Sequence, residues 1–186
     1  MTSPQSPYEE LAQVIGEVVM EWTYIEGLVA DMAINLASYR DRAYEDDPVR
    51  DPFIMAILCM KLPERIALTK ALAHAVNDPP DYYARLERTL NVLDNALRIE
   101  RNRFIHDSWH FHGSEIIRFA EGPKVVRPQA HRREISMGVK KNYANIEAVR
   151  AFHEELVTTR NCLVDLDNEL ASLMNEQDNA QAPKAH

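Results

Sequence analysis

The sequence predicts a mainly α-helical fold: a bundle of four to five helices with a small β-hairpin or meander inserted before the last helix. Three observations carry this. Apolar residues recur every three or four positions over long stretches near both ends of the chain. Only five of the 186 residues are glycine, so few turns need a permissive backbone. The helical texture is interrupted once, at about residues 108–137, by short segments of strand-like composition with Gly and Pro between them. Residues 1–176 are expected to form one domain, with 177–186 as a flexible tail.

The first helix is marked by Ser6-Pro7-Tyr8-Glu9: a serine cap, proline at the first helical position and a glutamate to close a capping box. Leu11, Val14, Val18, Trp22, Ile25, Val29, Met32 and Leu36 then form one apolar face. The pattern fades at Tyr39–Arg42, and Glu45-Asp46-Asp47-Pro48 reads as a loop. Asp51-Pro52 starts a second helical region, broken or kinked at Pro63, whose ring cannot continue an interior helical ladder. Asp78-Pro79-Pro80 ends it and opens a third helix, to about His106, with Tyr83, Leu86, Leu90, Leu93 and Leu97 on its buried side.

Alternation in Ser108-Trp109-His110-Phe111-His112 then predicts a strand and Gly113-Ser114 a turn. Strands are expected over 115–120, 124–127 and 131–137, with a turn at Glu121-Gly122-Pro123. From about Asn142 the helical period returns at Val149, Phe152, Leu156, Leu163, Leu166, Leu170 and Leu173. The long stripes of the first and last helices are near-heptad, and part of them is expected to pair with a second copy of the chain.

Composition narrows the function. The polar start has no secretory pattern, and the longest apolar run, Phe53–Met60, is too short for a bilayer. With Cys59 and Cys162 read as separate, reduced core thiols, a cytoplasmic protein without membrane association is expected. A net charge of −8 argues against broad nucleic-acid coating. Yet Arg98–Lys141 holds ten Lys/Arg against five Asp/Glu, a net of +5, so the rest of the chain carries −13. Four of the seven histidines, His106, His110, His112 and His131, share that basic segment, which suits an anion.

The third helix carries an irregularity. Its stripe calls for an apolar residue at 100 or 101 and at 104; Phe104 complies, but Glu100 and Arg101 hold the other place. A guanidinium on a buried seam needs a partner or water. Asn102 and His106, four apart, share a face, whereas Arg101 and His106 lie about 140° apart on an ideal helix. They converge on one ligand only if the helix end distorts, the ligand spans the tip, or a second subunit completes the site. Glu26, beside the first-helix stripe, is the candidate carboxylate for Arg101.

Glu100-Arg101-Asn102-Arg103-Phe104-Ile105-His106 resembles the signature of the HEPN superfamily, an Arg, a polar residue, several variable residues and a His in a small helical bundle. Asp107-Ser108-Trp109 is similar to the run that follows it in many such proteins, and the helical frame matches over roughly 8–173. The resemblance implies a metal-independent endoribonuclease that leaves 2′,3′-cyclic phosphate ends, with a toxin or a phage- or stress-defence component as its setting. Arg101 would hold the scissile phosphate, His106 would move a proton, and Asn102 would orient His106 or bind a phosphate oxygen. Arg98 and Arg103 would contact flanking phosphates, and Trp109 would stack on a base, although capping the core is its commoner role. RNA, a second copy of the chain and an antitoxin or other protein partner are the implied partners. No cofactor and no metal are implied.

Two rivals stand beside this reading. His106, His110 and His112 with Asp107 supply metal-ligand types, but without the spacing of a known zinc motif. A non-catalytic dimeric binding or scaffold protein would use the helical stripes as partner surfaces. No nucleophile with a nearby base, glycine-rich phosphate loop or nucleotide fingerprint occurs.

Overall fold

The computed structural model describes residues 6–40, 50–76, 80–112, 115–120, 123–125, 135–137, 140–143 and 146–181. The expected loop at 45–48, the turn at 113–114, Glu121-Gly122 and the last five residues lie outside them. Among the described residues there are six α-helices: α1 (Pro7–Arg40), α2 (Arg50–Cys59), α3 (Leu62–Val76), α4 (Pro80–Val92), α5 (Arg98–His106) and α6 (Ile146–Gln181). Leu93–Leu97 forms a π-helical turn between α4 and α5. Among the described residues no helix is long and apolar enough to cross a membrane.

The capping box at the start of α1 forms as the sequence dictates. The Glu9 amide donates to Ser6 Oγ at 3.3 Å, and the Ser6 amide donates to Glu9 Oε2 at 2.9 Å. That backbone bond first, and the hydroxyl second, hold the Glu9 carboxyl below the usual range, so this anchor is present above that range and is lost as pH falls. All eight stripe residues of α1 are buried, at 4 % exposure or less. In α6, Val149, Phe152, Leu156, Leu163, Leu166 and Leu170 are buried too, with Thr159 filling the gap in the stripe. Apart from half-buried Leu173, both stripes are thus covered within one chain. The helix also runs on to Gln181, past the expected tail boundary at 177.

The described chain groups into two compact units, Met1–Met20 with Leu97–Glu155, and Glu21–Ala96 with Leu156–His186. The described residues of the second unit are almost all helical. Arg65 on α3 donates to the carbonyls of Ile57 (3.1 Å) and Leu58 (2.7 Å) at the end of α2 and of Glu26 (3.2 Å) on α1. Pro63 sits in the first turn of α3, so the expected break is present and falls between α2 and α3. Arg85 on α4 grips both carboxylate oxygens of Glu169 on α6, at 2.6 and 2.8 Å. The buried face of α4 contains Tyr82, not Tyr83 as expected; Tyr83 is half-buried and its ring meets His74. Cys59 and Cys162 are both exposed, which corrects the expectation of core thiols: each flanks its apolar stripe rather than sitting in it. Among the described side chains of α2 only Ile57 is fully buried, and Phe53, Met55 and Leu58 are exposed.

Asp31 on α1 faces Asp167 on α6, whose Oδ1 accepts from Asn35 Nδ2 at 3.2 Å. Asp31 is exposed, but partial desolvation of its carboxyl, and then the Asp167 charge, raise it above its ordinary range. The folded state therefore binds a proton more readily than the unfolded chain, and ionised Asp31 subtracts stability once pH exceeds the raised value. Asp31→Asn is expected to raise the melting temperature at pH 7 by on the order of 1–3 °C, an advantage that disappears near pH 3. Melting curves of both proteins at the two pH values check it.

The first unit combines the start of α1, α5 and the start of α6 with the β excursion. β1 (Ser108–His112), β2 (Glu115–Ala120) and β5 (Lys140–Tyr143) form an antiparallel sheet in the order β1-β2-β5. β3 (Pro123–Val125) and β4 (Ile135–Met137) form a separate two-stranded pair. In the main sheet Trp109 stands opposite Arg118, and Arg118 opposite Asn142. The meander was expected, but β3 begins one residue earlier, inside the supposed Pro123 turn. β5 takes residues read as the approach to the last helix.

Candidate functional site

The motif lies on α5, nine residues with an ordinary α-helical backbone. The π-turn before it adds one residue to the helical repeat, and buried Leu97 and Phe104 then set the inward face. Glu100 and Arg101 occupy the seam between them, and both are half-buried. Arg101 Nη1 donates to Asn102 Oδ1 at 3.1 Å. Asn102 is exposed, as is His106, the last residue of the helix. The His106 side chain meets no partner among the described residues. The helix stops at Asp107, whose backbone is extended (φ −74°, ψ 149°) while its N–H still donates to the Arg103 carbonyl at 3.2 Å. Arg101 and Asn102 are thus directly joined, and His106 is presented one turn further on, at the helix end.

The remaining expected site residues divide. Arg98 is half-buried in the first turn of α5. Arg103 is exposed and donates to Glu100 Oε2 at 2.7 Å, so its charge is already paired within the helix. Trp109 takes the structural role: its indole N–H donates to the Phe104 carbonyl at 2.9 Å and its ring stacks on Phe104, centroids 6.2 Å apart. Glu26 belongs to the other unit, where its carboxylate accepts from the Trp22 indole at 2.8 Å.

One residue that sequence reasoning passed over dominates the surroundings of the motif. Arg118, in the middle of β2, is only 7 % exposed. Its guanidinium lies over the Phe104 ring, 5.0 Å from the centroid. Nη1 is 3.7 Å from Glu100 Oε1 and Nε is 3.5 Å from Asp107 Oδ2. The charge that interrupts the seam at Glu100 is therefore answered from the sheet. The available signal was a lone arginine inside the apolar segment Ile116-Ile117-Arg118-Phe119.

Among the described residues no three His, Cys, Asp or Glu side chains are placed to hold one metal ion; the His112 side chain lies outside them. A shallow groove of about 540 Å³ runs along α4 and the π-turn, lined by Ala84, Glu87, Arg88 and Val92 among others, and contains none of the motif residues. Compared with known proteins, the chain matches no family model, no curated protein and no solved structure.

Proposed function

We propose that this protein is a metal-independent endoribonuclease of the HEPN type. What supports the reading is one observation: a half-buried Arg101 joined to Asn102, followed within α5 by an exposed, terminal His106. In the proposed reaction the ribose 2′-oxygen attacks the adjacent phosphorus. The 2′-O–P bond forms, the P–O5′ bond breaks, and the 2′ proton leaves as the 5′-oxygen gains one. Arg101 neutralises the extra charge on the phosphoryl oxygens, where a preorganised donor has most effect. The imidazole of His106 suits either proton transfer at neutral pH. With its carbonyl oxygen turned to Arg101, Asn102 has its amide N–H groups left for a phosphate oxygen.

The 140° between Arg101 and His106 on a regular helix favours a site completed by two motifs about a two-fold axis, so a homodimer is part of the proposal, as is an RNA substrate in a cytoplasmic setting. A protein antitoxin would be one means of restraint. The second reading, a dimeric binding protein without chemistry, draws its support from the exposed apolar residues Phe53, Met55 and Leu58 of α2.

The test is incubation of the pure protein with mixed RNAs in excess chelator, with the fragment ends mapped. Fragments with 2′,3′-cyclic phosphate and 5′-hydroxyl ends are expected. Intact RNA beside a stable dimer would favour the binding protein, and cleavage that chelator stops would favour a metal enzyme.

A further inference from the structure

We propose that Arg118 is a positioning residue: from the sheet it clamps the end of α5 and fixes where Arg101 and His106 stand; the catalytic part of this inference rests on the ribonuclease reading. α5 is the last part of an unbroken helical run from Pro80 to His106, and the final turn of such a run frays unless its surroundings secure it. One guanidinium contacts two carboxylates seven positions apart, Glu100 at 3.7 Å and Asp107 at 3.5 Å. Arg101 directly follows the first anchor, and His106 directly precedes the second. Unwinding the last turn, or tilting the helix, shifts His106 against Arg101 and must loosen one of these two pairs. Phe104 supports the guanidinium from below at 5.0 Å, and the Trp109 indole N–H secures the Phe104 carbonyl in the same turn.

Stability alone does not account for a charge in this place. Arg118 Nε and Nη1 are buried and make no hydrogen bond among the described residues. A buried ion pair of that quality contributes little net stability compared with an apolar side chain of similar volume, and the role the proposal gives it is to hold one arrangement of the helix end. The clamp also has an electrostatic effect. Glu100 and Asp107 border the motif with two negative charges; Arg103 and Arg118 offset them, so that Arg101 faces a phosphate without uncompensated carboxylates beside it.

The experiment compares wild type, Arg118→Met and Arg118→Lys by amide hydrogen exchange and by RNA cleavage, each with its melting temperature. In Arg118→Met, exchange at residues 103–107 is expected to quicken by about tenfold or more while α6 stays protected. The kcat should fall by about tenfold to a hundredfold, with KM changed far less, and Lys should restore part of the kcat. If the Met variant does not fold, Asp107→Asn, which removes one anchor and leaves the guanidinium on Glu100, carries the same expectations. Unaltered exchange at the helix end, or quickened exchange with a fully retained kcat, would overturn the proposal. Wild-type protein that never cleaves RNA would end the ribonuclease reading alone, and the exchange data would still decide whether Arg118 holds the helix end.

Discussion

Arg101→Ala is expected to slow RNA cleavage by about a hundredfold to a thousandfold, the usual loss when one preorganised donor to a developing oxyanion is removed. His106→Ala should cost about a hundredfold to ten-thousandfold, the range for a positioned acid or base. Both should leave the fold in place. His106 is exposed and without a side-chain partner among the described residues, so its truncation should change stability by less than about 0.5 kcal/mol. Arg101 is half-buried, and its loss removes the packing of its stem and the 3.1 Å bond to Asn102, so a somewhat larger loss is expected. Cleavage rates at saturating RNA, beside melting curves, separate chemistry from folding. If two motifs from paired chains build one site, mixing the two inactive variants should recover part of the activity, because a mixed dimer regains one intact constellation. Two folded variants that both cleave as fast as wild type would end the assignment.

Phe104→Ala is expected to be the most destabilising single change in the unit that carries the motif. Phe104 is 3 % exposed, its ring meets Phe152 at 5.2 Å and Trp109 at 6.2 Å, and the Arg118 guanidinium lies on it. Truncating a buried phenylalanine costs about 3–5 kcal/mol, and losing its aromatic neighbours adds to that. For a chain of this size each kcal/mol lowers the melting temperature by about 2–4 °C, so a drop of roughly 6–20 °C should follow. The chain has two tryptophans, Trp22 and Trp109, so a Trp22→Phe background makes fluorescence a reporter of Trp109 alone. In that background Phe104→Ala should shift the Trp109 emission to the red; a loss below about 1 kcal/mol with unshifted emission would mean that Phe104 does not organise this corner.

The sequence made the long helices legible because a single property, apolar spacing, recurs over many turns. Every stripe residue of α1 and all but the last of α6 proved buried. Short apolar stretches were harder to read. Tyr82 and Tyr83 are adjacent aromatics, and only their phase with Leu86 and Leu90 selects the first of them for burial. The continuous apolar run that contains α2 has no periodicity to mark a face, so Ile57 could not be told from exposed Phe53, Met55 and Leu58, nor the side on which Cys59 falls. At the motif, the irregular pair Glu100 and Arg101 was visible as a break in the stripe. Its resolution through Arg118 was not, because that contact joins a helix to a strand 18 residues on, and strand pairing is not encoded by local spacing. Trp109 was the reverse case: of its two expected roles, the core cap is the one for which the structure shows contacts.

The break between α2 and α3 contains no glycine, and Gly16 and Gly27 both lie inside α1. The junction is instead secured by the Arg65 fork, which holds main-chain oxygens from two helices other than its own. This joint depends on a flat, three-pronged donor rather than on backbone latitude, so a lysine of equal charge would be a poor substitute there: its single ammonium cannot reproduce the spread of a guanidinium across three separate acceptors.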